Sequence, residues 1–189
     1  ATSSDAESGT QKINFPATVS VGGDDSTSPY ELLYTYSAAS SYDSSSTVTG
    51  YDNAGLTNTW TFNVTRDTAS PTGGALTYTD GFATSTTLTI NYGAVSDAIS
   101  GLATYVLQYQ EATLSAGACG AYGAWTNTGN QPASAAAGSV NFTATTGKCY
   151  QFQYVLTDNV GNVTNVTSAS VTKVDTTAPG ACTISGITP

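Results

Sequence analysis

Histidine is absent from the 189 residues, so the side chain that most often acts as general base or metal ligand cannot contribute. Ser-His-Asp and Cys-His nucleophile systems are excluded with it. What remains is carboxylate chemistry. Asp24, Asp25, Glu31, Asp80, Asp97 and Glu111 are of the type a glycosidase uses in facing pairs. All but Asp24 and Asp25 stand singly, in turns or at strand ends, where Asp commonly serves the backbone. No catalytic set is assigned and the chain reads as a non-enzyme. Calcium needs only oxygen ligands, and Asp67 and Asp175 in linkers and Asp97 in a loop are where such an ion would sit. With one carboxylate per loop and no EF-hand or G-G-x-G-x-D pattern, no cofactor is expected. The run Gly117 to Gly123 has the glycines of a phosphate loop but lacks its lysine.

Other candidate sites are aromatic or polar. Trp125, with Tyr122 close in sequence, is the best candidate for stacking on a carbohydrate. The competing reading, packing inside a core, is favoured. Trp60 alternates with Phe62 and Val64 and is expected in a core. Asn63, Asn141, Asn162 and Asn165 each open an N-x-S/T sequon and are candidate glycosylation sites. Chance supplies several such triplets in a chain this rich in Asn and Thr.

Thirteen carboxylates against four basic side chains leave a net charge of −9, and Lys12, Arg66, Lys148 and Lys173 lie far apart. Nucleic acid, which demands clustered Lys and Arg, is excluded as a partner. An anionic membrane surface is disfavoured on the same ground, and no apolar run is long enough to insert into a bilayer. Low Lys and Glu, abundant Ser and Thr, and three cysteines, at 119, 149 and 182, point to an extracellular or cell-surface setting where a disulfide persists. An initial Ala1 fits a mature secreted product, as it would a fragment.

The elements that position these residues are strands. Two segments, Thr47 to Pro71 and Tyr154 to Pro179, repeat the same succession of features. Aligned on D-N-[AV]-G, Asp52 matches Asp158 at an offset of 106; aligned on D-T-x-x-P, Asp67 matches Asp175 at 108. Each reads as a hairpin through a turn tolerant of positive φ, followed by a proline exit. Between the exits lie seven strand candidates: 75–79, 87–92, 103–111, 123–128, 139–145, 149–158 and 162–174. In the sixth, Tyr150, Phe152, Tyr154 and Leu156 alternate with polar neighbours and form the predicted core.

The runs VSDAISGLATYVLQYQEA, GKCYQFQYVLTDNVGNVT and VDTTAP resemble the fibronectin type III-like and bacterial immunoglobulin-like repeats of large microbial surface proteins. The resemblance covers residues 72–179 and implies tandem antiparallel β-sandwiches of the immunoglobulin-like class. It would make Tyr150 a tyrosine-corner residue bonded to backbone near the preceding loop, with an ordinary core tyrosine as the alternative. It also sets the chain apart from antibody-type domains, since no second-strand cysteine faces Cys149. Cys119 is the expected disulfide partner, and Cys182 is left over.

The domain expectation is an incomplete immunoglobulin-like domain over 1–69, a fibronectin type III-like domain over 70–179, and a tail over 180–189 that begins a further repeat or donates a strand. The first domain offers only four strands: 12–21, 30–36, 46–51 and 57–64. The leading functional reading is a structural module of a microbial filament, surface layer or adhesin stalk, with other copies or neighbouring repeats as partners, joined by strand addition. The alternatives are a spacer or sugar-binding accessory of a secreted polysaccharide-degrading enzyme, and an adhesin domain binding glycans or host surface proteins.

Overall fold

The computed structural model describes residues 1–19, 21–36, 40–183, 185 and 186. Among them every regular element is a strand. The chain divides into two compact units, Ala1–Thr68 and Ala69–Pro189.

Unit 1 is one antiparallel sheet. Its strands are β1 (Thr10–Thr18), β2 (Val21–Asp25), β3 (Ser44–Asp52) and β4 (Thr57–Val64), in the order β2-β1-β3-β4. The predicted strand 12–21 is broken near its end, because Val19 adopts φ 41° and turns the chain into β2. Alternation along β1 sends Ile13 and Phe15 to one side, where they join Tyr30 in a small core flanked by Leu32, Tyr34 and Val48. The predicted strand 30–36 belongs to no ladder. Its residues still alternate, with Tyr30, Leu32, Tyr34 and Tyr36 turned inward and Glu31, Leu33 and Thr35 exposed. Side chains hold it instead: the Tyr34 hydroxyl donates to the Pro16 carbonyl at 2.6 Å, and that of Tyr36 to Thr18 Oγ1 at 3.0 Å.

Unit 2 opens with β5 (Thr72–Gly73), β6 (Leu76–Thr77), β7 (Gly81–Ala83), β8 (Thr87–Tyr92) and β9 (Val95–Ser96). It continues through β10 (Leu102–Ser115), β11 (Ala118–Cys119), β12 (Thr126–Asn127), β13 (Gly138–Thr143), β14 (Lys148–Asp158), β15 (Val163–Thr167) and β16 (Thr172–Val174). A mixed sheet runs β11-β10-β14-β16-β7, with β12 on β10 and β15 on β14; β13-β8-β6 form a second sheet and β5-β9 a ribbon. Among the described residues only β16 and β7 pair in parallel. One core draws on both larger sheets: Leu88, Ile90 and Phe142 from one, Leu107 and the predicted set Tyr150, Phe152, Tyr154 and Leu156 from the other. The Tyr150 hydroxyl accepts the Thr145 backbone N–H at 2.9 Å, the loop bond expected of that tyrosine. The predicted last strand, 162–174, is split between β15 and β16 at the place where unit 2 carries two more residues than unit 1.

Cys119 on β11 is bonded to Cys149 on β14, with Cα atoms 5.9 Å apart. The bond ties the rim of the mixed sheet to its central strand across a separation of 30 residues. Loop-closure entropy values such a link at about 3–4 kcal/mol. Trp60 and Trp125 place one indole in each unit, so single-tryptophan variants can follow the units separately. Cys119→Ser is expected to lower the denaturant stability of unit 2 by about 3 kcal/mol and leave the Trp60-reported transition of unit 1 in place.

Candidate functional site: the inner face of unit 1

Each unit holds its own copy of one hydrogen-bonded corner. In unit 1, Asp52 Oδ1 accepts the N–H groups of Ala54 (2.9 Å) and Leu56 (2.7 Å); in unit 2, Asp158 Oδ1 accepts those of Val160 (3.0 Å) and Asn162 (2.8 Å). The next residue docks the turn on a second loop. Asn53 Nδ2 donates to Ser8 O at 2.8 Å, and Asn159 Nδ2 to Ser100 O at 2.7 Å. That second loop is itself folded about an aspartate: Asp5 Oδ1 takes Ser8 N and Gly9 N, and Asp97 Oδ1 takes Ser100 N and Gly101 N. Gly9 and Gly101 leave it at φ 78° and 77°, a conformation that suits glycine.

A further sequence repeat lies under this geometry: Ser4-Asp5-Ala6-Glu7-Ser8-Gly9 and Ser96-Asp97-Ala98-Ile99-Ser100-Gly101. Its offset of 92 differs from the 106 of the turn repeat, and the copy in unit 1 begins only four residues into the chain, so the D-N-x-G alignment alone does not reach it. The ladders agree residue by residue. Ile13 faces Gly50 as Tyr105 faces Leu156, Val48 faces Trp60 as Tyr154 faces Val166, and both first strands carry an irregularity at the same place, after Thr10 and after Leu102. Unit 1 therefore matches unit 2 from Ser96 onward, and residues 1–68 hold no counterpart of residues 70–92.

Two consequences follow for the inner face of unit 1. The segment 30–36 occupies the place in chain order of β13, whose six residues pair with β8. Without a β8 counterpart it has no ladder to join, which is why the predicted strand is missing. Along the opposite edge of unit 2, residues 69–83 line β15 and β16: Thr164 Oγ1 donates to Pro71 O (2.7 Å), Tyr78 Oη to Ser170 O (2.7 Å) and Val171 N to Asp80 Oδ1 (2.8 Å). In unit 1 the matching strand, β4, is an edge of its sheet, with no further strand paired to it among the described residues.

The expectation that Trp60 packs in a core is overturned on this ground. Trp60 shares a face with Phe62, as alternation requires, and the rings stack at 6.3 Å, but the indole is 68% exposed. Below it the face is hollow. Where β14 carries Tyr150, Phe152, Tyr154 and Leu156, β3 carries Ser44, Ser46, Val48 and Gly50. A cleft of about 780 Å³ results, lined among others by Phe15, Tyr34, Val48, Gly50, Trp60 and Phe62.

The remaining candidates are placed as follows. Asp24 pairs with Lys12 at 2.6 Å, Asp25 accepts Thr27 N and Glu31 N, and Glu111 pairs with Lys148 at 2.9 Å. Asp175 accepts Thr177 N, and Asp67 closes unit 1 half-buried. Asp97 does not stand singly in space: within unit 2 its carboxylate lies within 4.8 Å of that of Asp158, which is 1% exposed. Trp125 is half-buried and lies outside the core cluster. Tyr122 turns its hydroxyl inward without a hydrogen-bond partner, and burial pushes its pKa up. Asn63, Asn141 and Asn165 are exposed. Asn162 is half-buried and its Nδ2, the atom a glycan would take, donates to Ala69 O (3.1 Å) and Asp158 Oδ2 (2.8 Å). Cys182 is a free, exposed thiol.

The chain matches no protein-family model and no curated relative in sequence. No described helix is long and apolar enough to cross a membrane.

Asp5 and Asp158 contribute to the response to acid. Backbone N–H bonds from Ser8 and Gly9 hold the Asp5 carboxyl below the usual range. At Asp158 burial pushes the pKa up, but the Asn162, Val160 and Gly161 hydrogen bonds outweigh it and the net direction is down. Groups depressed in the folded state stabilise it above the unfolded pKa and lose that contribution as pH falls through the folded one. Thermal stability is expected to hold from neutrality to about pH 5 and to drop below about pH 4, with Asp5→Asn reducing the acid loss in unit 1 and sparing unit 2; calorimetry against pH checks this. The exposure of Trp60 sets a second expectation. Trp60→Ala should change the stability of unit 1 by under about 1 kcal/mol, against about 3–5 kcal/mol for Phe152→Ala in unit 2, as read by denaturant titration.

Proposed function

We propose that this chain is an extracellular structural module of a microbial surface assembly, such as a filament, surface layer or adhesin stalk, built from successive immunoglobulin-like, fibronectin type III-like β-sandwiches. The carrying observation is the corner that recurs in both units with the same donors, acceptors and ladder register, from Asp5 and Asp52 in one and Asp97 and Asp158 in the other. A repeated scaffold whose corner aspartates are engaged in its turns suits a spacing and load-bearing role. The Cys119–Cys149 bond suits an oxidising compartment.

In this reading the partners are other copies of the chain or neighbouring repeats. The alternative of a sugar-binding accessory module gains its support from the exposed Trp60–Phe62 pair rather than from Trp125. Electron microscopy of the purified chain at rising concentration, and of native surface material, tests the assembly. Ordered fibres or sheets are expected. Dispersed single particles in both samples, together with glycan-array binding lost in Trp60→Ala, would replace the structural reading by the accessory one.

A further inference from the structure

A long strand at the edge of a sheet invites pairing with other chains, and proteins guard such edges with charge, proline or a covering group. Among the described residues the edge strands fall into three kinds. β5, β6, β7, β9, β11 and β12 are only two or three residues long. β2 is longer and carries Asp24 and Asp25. β4, β13 and β15, of eight, six and five residues, hold neither a charged side chain nor a proline. With four basic side chains in the whole chain, lysine is not there to guard them.

Each of these three uncharged edges carries an N-x-T sequon: Asn63-Val64-Thr65 at the end of β4, Asn141-Phe142-Thr143 in β13 and Asn165-Val166-Thr167 in β15. The two-residue period of a strand turns the middle residue in, Phe142 and Val166 reaching the core of unit 2, and leaves every one of these asparagines and threonines exposed. Asn141 accepts the Thr89 hydroxyl at 3.1 Å through Oδ1. Among the described residues, Nδ2 has no hydrogen-bond partner in any of the three.

The fourth sequon is of another kind. Asn162 lies before β15 and is half-buried, and its Nδ2 donates to Ala69 O at 3.1 Å and Asp158 Oδ2 at 2.8 Å. Its threonine, Thr164, donates to Pro71 O at 2.7 Å. Both groups that define the sequon are spent inside unit 2. Composition accounts for the number of triplets, but it does not sort the free ones onto the long uncharged edges.

We propose that Asn63, Asn141 and Asn165 are N-glycosylated and Asn162 is not, the three oligosaccharides guarding the edges that lack charge. The donor is an oligosaccharide linked to a lipid through a diphosphate. Asparagine Nδ2 bonds to the anomeric carbon, the carbon–oxygen bond to the diphosphate breaks, the diphosphate leaves with the bonding pair, and Nδ2 gives up one proton. A sugar on Asn63 stands on the face of β4 opposite Trp60 and Phe62, so the cleft of unit 1 stays open. A bulky hydrated group beside each edge hinders the unordered pairing that would compete with assembly. The inference rests on the extracellular reading above, the setting in which a sequon is an acceptor.

The test begins with protein isolated from its own cells, digested and fragmented by electron transfer, which leaves sugars on their residues. Glycan mass is expected on Asn63, Asn141 and Asn165, with Asn162 bare on the peptide it shares with Asn165. Thr65→Ala, Thr143→Ala and Thr167→Ala should each strip one site and leave the other two. The triple variant, checked for folding by its near-UV spectrum, should aggregate several-fold faster in light scattering than the glycosylated chain. Asn63→Lys, Asn141→Lys and Asn165→Lys together should restore solubility without sugar. Bare asparagine at all three positions in disulfide-bonded protein taken from the cell surface would overturn the proposal and leave the extracellular reading standing. Modification of Asn162 to the same extent as the others would overturn the selectivity, and a stripped chain that aggregates no faster would overturn the guarding role. Protein recovered only from the cytoplasm, with Cys119 and Cys149 reduced, would remove the extracellular reading itself.

Discussion

Each unit turns on a carboxylate that cannot leave its place. Asp158 is almost wholly buried, and its oxygens accept the N–H groups of the turn that follows it and the Nδ2 of Asn162. A buried backbone donor without a partner costs free energy comparable to a lost hydrogen bond, so a tight turn closed this way has few alternatives. The neighbouring asparagine then ties the turn to the loop at Ser100 and Gly101, which Asp97 organises in the same manner. Loop and turn together set where the first long strand and its partner begin to pair. Register in unit 2 is anchored at Leu102 and Asp158, and in unit 1 at Thr10 and Asp52. Because the side-chain period of a strand is two, that anchoring decides which residues face inward along the whole ladder.

With register held constant, the units differ in what they put on the inner face. Unit 2 fills it with three aromatic rings and a leucine from one strand and is closed by a second sheet. Unit 1 offers serine, valine and glycine at the same positions, and its large residues lie on β1, on the edge strand β4 and on the unladdered segment 30–36. The tyrosines of that segment bond back to β1 through their hydroxyls, keeping in place an extended stretch that has no neighbour to pair with. A sheet with one bare edge and a hollow face is a surface suited to taking up a strand. Unit 2, by contrast, is closed and pinned by its disulfide.

Much of this was legible in the residues. The alternation of Tyr150, Phe152, Tyr154 and Leu156 predicted a buried strand, and β4 and β8 lie over the predicted spans. With no second-strand cysteine to face Cys149, Cys119 was its expected partner, and the structure contains that bond. Three readings failed for one reason. Segment 30–36 has strand periodicity without a strand, Trp60 has core periodicity without a core, and Asp97 looks solitary although Asp158 lies beside it. In each case the pattern within the segment was correct, and the outcome depended on a partner distant in the chain. The corner of unit 1 was missed because its SDAxSG copy sits before the first recognised strand, at a different offset from the other repeat.

The sequence by itself determined the elements: strand class from β-branched and aromatic alternation, turn positions from Asp-Asn-x-Gly, exits from Asp-Thr-x-x-Pro, and the absence of histidine chemistry. These are local properties, set by side-chain shape and backbone preference over a few residues. Only the tertiary structure decided which inward faces are covered, which edges are paired and which carboxylates meet. Burial and pairing are relations between distant segments, and a residue's own type cannot say whether its partner is there.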